Sequence, residues 1–517
     1  MLLSTLLSNS QIEYTAPEHF WQGAYPVSGL DVGEIFLDSR KVVLRGLYIA
    51  LEGLHTDSHA YLADAEAHGA IAAIVSERAV LEGRVDRARV RIPLICVKNC
   101  REAMARLYAA WYNNPQRSMT FIGVTGTNGK TSVSRMIYEI LSGSGEKCGL
   151  IGTAGNLISA TGGEGSEELD IRASSPLANM TTPDPAELYK MLDRMRESGV
   201  KYVVMEVTSH SLALSKVAPI DFEIGVFTNL TEDHLDFHLN MEEYYRAKRS
   251  LFDKCRRAVI NIDDMYGRRI AGELGTRCVT VSSEGRGADY TANDIRCHGE
   301  NGMEYRLSSH RMRLRIKTKI PGAITVINTM EAAVVANLVG IAPREIKDSI
   351  FALSGIRGRL EKLKLPNKVG FSVYIDYAHT PDALENLLRT AKMFMRKGQR
   401  IVLVFGCGGE REKQKRAMMG RIASGMADFF VITSDNPRTE EPSDIISDII
   451  SGVGDEGQFT VIENREKAIE YVIKSARAGD VILLAGKGHE EYSIDKNGKH
   501  EFSERELVDR FVKRYYG

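Results

Sequence analysis

FIGVTGTNGKTSVSRMIY, residues 121–138, is the stretch on which the reading of this chain turns. Met119 to Ile122 is expected to form a strand, a Gly-rich turn follows, and a helix is expected to begin at Lys130. In such a turn the glycines let backbone N–H groups close around phosphate oxygens, and the helix N-terminus favours the anion. Lys130 adds a point charge toward the outer phosphates, and the Thr131 hydroxyl can hold Mg²⁺. Strict phosphate-loop spacing asks for glycine at position 124, where this chain has Val124, flanked by Gly123 and Gly126. TGTNGKT is therefore a variant loop. It predicts nucleotide binding and by itself names no reaction.

Downstream, TTPDP (181–185) precedes a helix with Leu188, Met191 and Leu192 among its apolar positions, and Pro183 suits its opening. The segment 161–175, rich in Gly, Ser and Glu, reads as mobile. VVMEVTSH (203–210) reads as an apolar strand delivering Glu206 near its C-terminal end, and a second strand, 224–227, delivers TNLTEDHLDFH (228–238). Ligands of open α/β sheets collect beyond the carboxyl ends of strands. That rule predicts Glu206, Asp233, His234 and Lys130 around one crevice, a set suited to a metal-bridged nucleotide. In MEEYYRAKRSLF (241–252) the helical stripe Met241, Tyr244, Leu251, Phe252 also carries Lys248. Desolvation of an interior lysine favours its neutral amine, which can add CO₂ to give a carbamate able to ligate Mg²⁺. Periodicity alone favours the other reading, a lysine snorkelling to the surface.

Residues 1–117 mix short strands and helices, and the clusters Asp38-Ser39-Arg40 and Asp57-Ser58-His59 read as turns or caps. Residues 280–320 read as an antiparallel excursion in which Met312, Leu314, Ile316 and Ile320 alternate with Arg311, Arg313, Arg315, Lys317 and Lys319. A solvated strand face explains that basic alternation better than nucleic acid does. From about residue 355 strands and helices alternate regularly, predicting a doubly wound sheet with DYAHTP (376–381), GCGGEREKQKR (406–416), SDNPR (434–438) and GKGHE (486–490) at its strand ends. The fold expected is α/β in three domains, 1–117, 118–354 and 355–517, the second of phosphate-loop type and the third Rossmann-like.

The bulk numbers agree with that organisation. Lys and Arg total 67 against 68 for Asp and Glu, so net charge does not point to nucleic acid or a membrane surface. The seven cysteines include no CxxC pair and suit a reducing, cytoplasmic setting. The opening MLLSTLLSNSQIEY lacks the basic flank of a signal peptide, and no apolar run reaches membrane-span length.

Together, TGTNGKT, TTPDP, EVTSH, TNLTEDHLDFH, YRAKRSLF, GIRGRLE, DYAHTPDAL, FGCGGER, DNPRTEEP and AGKGHE resemble the Mur ligase family, from Asp38 to Glu490. The resemblance implies ATP-dependent ligation, through an acyl phosphate, of an amino acid to the D-Glu γ-carboxylate of UDP-N-acetylmuramoyl-L-alanyl-D-glutamate. It implies that Gly126, Thr127, Asn128, Gly129, Lys130, Thr131, Asn328, Arg359 and Asp376 bind ATP. Thr131, Glu206, His234 and Lys248 are implied Mg²⁺ ligands, with Lys248 carbamylated, and Lys130, Glu206, His234 and Lys248 form the implied catalytic set. Ser39, Thr181, Thr182, Ser209 and Lys216 match positions for the UDP-sugar dipeptide, and Arg411, Asp435, Asn436, Arg438, Gly486 and Glu490 those for the incoming amino acid.

DNPR accompanies meso-2,6-diaminopimelate in this family, and Arg438 offers a planar fork for that substrate's distal carboxylate. Thr325 and Lys216 depart from the Asn and Arg usual at their positions. A monomer is expected. A lysine-adding ligase, a folylpolyglutamate synthase-like enzyme and a non-ligating nucleotide-switch ATPase remain the alternatives.

Overall fold

Strand Thr120–Thr125 runs up the middle of an eleven-stranded sheet, buried from Phe121 onward, and the rest of the central architecture is arranged about it. The structure, a computed structural model, describes residues 1–15, 29–53, 56–160, 165–169, 181–235, 237–310 and 312–517. The strand extends to Thr125, past the expected end at Ile122, because Val124 and Thr125 are both buried between neighbouring strands. Its parallel neighbours are Phe222–Phe227 and Tyr202–Glu206, buried along their length but for Glu223, as helix-covered parallel strands are. Helix Lys130–Gly143 buries Val133, Met136, Ile137, Ile140 and Leu141, and its core is shared with helices Ala323–Leu338 and Pro343–Ala352. The last of these was not anticipated from sequence.

The basic segment is an edge of this same sheet. Strands Tyr290–Cys297, Met303–Ser308 and Arg313–Thr318 pair antiparallel and continue the ladder from Cys278–Ser282. Arg313, Arg315 and Lys317 are exposed, and Arg315 and Lys317 pair with Glu304 on the adjacent strand. Cross-strand charge pairing accounts for the alternation. Arg311, and the expected mobility of 161–175 outside residues 165–169, lie outside the described residues.

The first sheet has four parallel strands in chain order, Glu34–Phe36, Gly46–Ile49, Ala70–Ser76 and Leu94–Val97. The opening apolar run is helix Leu3–Ser10, whose Leu3, Leu6 and Leu7 are buried in one core with helix Cys100–Trp111. That core continues through helix Pro185–Glu197 into the central sheet.

The last sheet runs Glu361–Lys362, Ser372–Asp376, Asp480–Ala485, Arg400–Phe405, Phe429–Ile432, Phe459–Val461, parallel except at its Glu361–Lys362 edge. Helices Pro381–Phe394, Gln414–Met426 and Pro442–Ile450 cover one face, and Arg465–Lys474 and Glu504–Tyr516 the other. The hairpin Tyr492–Asp495/Gly498–Glu501, unforeseen in the sequence, follows the GKGHE loop. Among the described residues no helix is long and apolar enough to cross a membrane, and no disulfide forms.

Leu6→Ala empties a fully buried position of the N-terminal helix. It is expected to cost about 2–5 kcal/mol, read as a lowered unfolding midpoint in urea.

Candidate active site

Thr125 ends the central strand, and Gly126 and Gly129 take φ of +150° and +86°, values that L side chains rarely adopt. A Cβ on Gly126 would overlap the Thr228 hydroxyl, which donates to the Asn128 carbonyl at 2.6 Å. The Asn229 carbonyl accepts from Thr127 N–H and its Oδ1 accepts from Asn128 N–H, both at 2.9 Å. The loop is thus clasped by the segment leaving the next strand. Two ammonium groups donate to the Gly126 carbonyl, Lys130 Nζ at 3.0 Å and Lys248 Nζ at 2.7 Å. Lys130 also donates to the Thr127 carbonyl at 2.8 Å.

Lys248 does not snorkel. It is 2% exposed, and its Nζ lies 4.6 Å from the centre of the Tyr244 ring. Burial, reinforced by the Lys130 charge, pushes the Lys248 amine well below the ordinary lysine range. Burial lowers Lys130 as well, against the pull of Glu206 and Asp233.

Glu206, 1% exposed at the end of its strand, accepts from the Thr131 hydroxyl at 3.0 Å and from Thr153 N–H at 2.7 Å. Burial raises its carboxyl, opposed by Lys130 and Arg359. A buried carboxylate bonded to a hydroxyl at a phosphate loop is the hard oxygen donor set that Mg²⁺ prefers. His234 takes φ +58°, and its Nε2 lies 3.4 Å from Asp233 Oδ2. Its ring stands edge-on to His210, centroids 4.9 Å apart. Burial keeps the imidazole neutral, though Asp233 opposes this. Among the described residues no three acidic, His or Cys side chains by themselves form a group that could hold a metal, although Glu206 and Asp233 both act on the Lys130 charge and Asp233 and Lys130 on His234.

The third domain reaches the loop directly. Arg359 Nη2 donates to Thr131 Oγ1 at 2.9 Å, and Asn128 Nδ2 donates to Asp382 Oδ2 at 2.7 Å. Asp376, whose carboxyl burial raises, accepts from Leu360 N–H at 2.6 Å and Ala378 N–H at 2.8 Å, fixing the backbone beside Arg359 and Tyr377. The Arg359 guanidinium lies over the Tyr377 ring at 4.8 Å, and the Tyr377 hydroxyl donates to Glu490 Oε1 at 3.4 Å. Glu490 Oε2 accepts from Asn436 Nδ2 at 3.0 Å. Arg438, at φ +55°, donates from Nη1 to the Gly409 carbonyl at 2.6 Å, and its guanidinium is ion-paired with no carboxylate of the described residues. Burial and the nearby Arg411 pull Arg438 below the usual guanidinium range. Gly486, at φ +116°, packs where a Cβ would come 2.8 Å from Asp435 Oδ2.

Between the first two sheets, Thr182 donates to the Glu206 carbonyl at 2.9 Å, and Thr181 accepts from the Thr153 hydroxyl at 3.1 Å. Ser209 is buried and its hydroxyl has no partner among the described residues, and Lys216 pairs with Asp184 at 2.7 Å. Ser39 is buried in a short turn that the Asp38 carboxylate caps.

The model of the Mur ligase middle domain matches residues 124–336, and that of the Mur ligase glutamate ligase domain matches residues 358–488. A protein of Clostridium acetobutylicum named UDP-N-acetylmuramoyl-L-alanyl-D-glutamate--2,6-diaminopimelate ligase 1 is 39% identical over 487 residues, 94% of this chain and 96% of its own. The enzyme of that name from Clostridioides difficile is 40% identical over 490 residues, again 94% and 96%. The chain belongs to the Mur ligase family.

A solved structure of a UDP-N-acetylmuramoyl-L-alanyl-D-glutamate--2,6-diaminopimelate ligase superposes with a TM-score of 0.64 at 28% identity, covering 98% of this chain and all of that one. The Mur ligase MurF of Thermotoga maritima, solved in complex with ADP, shares the fold at TM-score 0.58 and 15% identity. Mur ligases are ATP-dependent, and this chain is an ATP-dependent ligase.

Several site groups escaped the sequence reading. The motifs assign no role to Thr153, Tyr377, Asp382 and Arg416, although Tyr377 and Asp382 stand inside DYAHTPDAL and Arg416 ends GCGGEREKQKR. Arg416 is fully buried and ties together the Gly408 carbonyl, Glu440 and Asp448, joining the GCGGER and DNPR loops. A basic residue in a charged helix gives no sequence signal that it is buried. Thr325 turns its hydroxyl back on the Pro321 carbonyl at 2.9 Å, leaving Asn328 as the polar side chain of this helix that faces Gly129.

Gly126→Ala forces a side chain into the Thr228 hydroxyl and displaces the loop. Displacements of this size cost on the order of a hundredfold in rate. ATP-dependent phosphate release is expected to fall by at least about that factor, while circular dichroism remains unchanged.

Proposed function

We propose that this ligase joins meso-2,6-diaminopimelate to the D-Glu γ-carboxylate of UDP-N-acetylmuramoyl-L-alanyl-D-glutamate, converting ATP to ADP and phosphate. The observation that carries the choice of amino acid is Arg438. It sits in DNPR, half-buried, and among the described residues only backbone carbonyls bond its guanidinium. A distal carboxylate would satisfy that fork bidentately, whereas lysine would leave it unpaired. The relatives that carry diaminopimelate in their names match over nearly the whole chain.

In this reading Gly126, Thr127, Asn128, Gly129 and Lys130 hold the ATP phosphates, Asn328 and Arg359 orient the nucleotide, and Asp376 secures the loop by its ribose. Thr131, Glu206, His234 and the carbamate of Lys248 would hold Mg²⁺, which would neutralise charge on the phosphates. Ser39, Thr181, Thr182, Ser209 and Lys216 hold the UDP-sugar dipeptide. The unpartnered Ser209 hydroxyl is suited to such a contact. The γ-phosphoryl group passes to the carboxylate as its bond to ADP breaks. The amine lone pair then attacks the acyl carbon, phosphate leaves with the acyl C–O electrons, and the amine proton is lost to solvent. Lys130 and Arg359 flank the charge that develops in both steps. Arg411, Asp435, Asn436, Arg438, Gly486 and Glu490 orient the amino acid, with Glu490 facing its distal ammonium. The free thiols suit action in the cytoplasm, and the protein acts as a monomer.

The deciding assay follows phosphate release and product mass with ATP, Mg²⁺ and the UDP-dipeptide, comparing diaminopimelate, L-lysine and no amino acid. Product with diaminopimelate alone is expected; product with lysine overturns the role of Arg438, and release without either substrate overturns ligation. Arg438→Ala should raise the KM for diaminopimelate roughly 30-fold or more, the effect of removing one partner from a desolvated charge pair. Activity should also fall in CO₂-depleted buffer and return on adding bicarbonate. That recovery should weaken as pH falls through the lowered pKa of Lys248, because the ammonium form cannot add CO₂. Lys248→Met should be inactive with or without bicarbonate.

A further inference from the structure

Lys487, in the middle of AGKGHE, is fully buried, and its ammonium group is enclosed by groups of the third domain. Nζ donates to Asn436 Oδ1 at 2.5 Å and to the Tyr492 carbonyl at 2.9 Å, and it lies 3.1 Å from Asp435 Oδ1 and 3.8 Å from Glu490 Oε2. We propose that Lys487 is a positioning residue that never touches substrate and instead, by fixing Asn436, aims the Glu490 carboxylate at the ammonium of the incoming amino acid. The inference rests on the reading that these two residues line the amino-acid pocket.

The argument starts from the asymmetry of an amide. Lysine can only donate, as can the backbone N–H of Ile494, which reaches the same Asn436 oxygen at 3.0 Å. Two donors on one atom fix which way the amide faces, so its NH₂ must point to Glu490 Oε2. With Oε1 held by the Tyr377 hydroxyl, the Glu490 carboxylate is immobilised by neighbours that leave its remaining lone pairs for a cation. Charge balance works in the same direction. Asp435 and Glu490 are two acids in one buried cluster, and Lys487 compensates them together. Burial and Asp435 push the Glu490 carboxyl up, while Lys487 and Asn436 hold it down. Removing the ammonium would both free the amide to turn and favour a protonated Glu490, which no longer attracts an ammonium. The hairpin Tyr492–Asp495 is tied in as well, since Lys487 holds the Tyr492 carbonyl and Asn436 holds Ile494.

The test is a double-mutant cycle with K487M, N436A and the pair, measuring KM for diaminopimelate, ATP and the UDP-dipeptide, kcat and thermal unfolding. K487M should raise the KM for diaminopimelate tenfold or more and leave the other two within about twofold. In the N436A background the same change should add less than threefold, because groups acting as a unit are not additive. Equal multiplicative effects in both backgrounds, an unchanged diaminopimelate KM, or parallel losses in every KM would overturn the proposal. Should K487M fail to fold, K487R supplies the same comparison: it keeps the charge but not the compact ammonium between Asn436, Asp435 and the Tyr492 carbonyl, so it should raise the diaminopimelate KM alone by about threefold to fivefold, and no rise would overturn the proposal. If N436A leaves the diaminopimelate KM unchanged, the pocket assignment itself fails. If N436A raises it and K487M does not, only the role given to Lys487 fails.

Discussion

One carbonyl oxygen, that of Gly126, receives two ammonium groups, and the site depends on that crowding. Lys130 comes from the helix that follows the loop, and Lys248 from a helix more than a hundred residues later. No carboxylate of the described residues forms an ion pair with either lysine; burial lowers both, and the Lys130 charge adds to that lowering at Lys248. Burying like charges together is unfavourable unless an anion joins them or one becomes neutral. The loop therefore favours a polyphosphate at Lys130 and a neutral, CO₂-reactive amine at Lys248. Tyr244, Leu251 and Phe252 hold the second helix in the core and keep Lys248 from reaching water.

The same geometry couples the domains. Arg359 and Asp382, both from the third domain, bond Thr131 and Asn128 of the loop. The Tyr377 ring carries Arg359 on its face, and its hydroxyl holds Glu490, so the nucleotide wall and the amino-acid wall share one side chain. Asp376 fixes the backbone on both sides of that junction. A shift of the third domain would disturb phosphate contacts and amino-acid contacts together, which suits a reaction in which phosphoryl transfer must precede attack by the amine. On the far side, the shared core of the N-terminal helix and the central sheet makes the first domain a fixed wall.

The sequence by itself determined the fold class, the strand–loop–helix at 120–143, the succession of strand ends and the family. Each of these is local: apolar runs mark buried strands, and Gly, Asn and Asp mark the turns after them. The boundaries shifted by a few residues because neighbours, such as those that bury Val124 and Thr125, extend a strand beyond its own propensity. Helix Pro343–Ala352 and the late hairpin were missed because short polar segments carry weak periodicity. Helical spacing is equally satisfied by a lysine that bends to the surface, so the interior place of Lys248, implied in the sequence only by the family resemblance, is fixed by the tertiary packing. The tertiary structure alone placed Lys487 and Arg416 as buried hubs and left Arg438 with no carboxylate partner among the described residues. A charged residue's burial depends on what distant segments pack against it, and no local pattern records that.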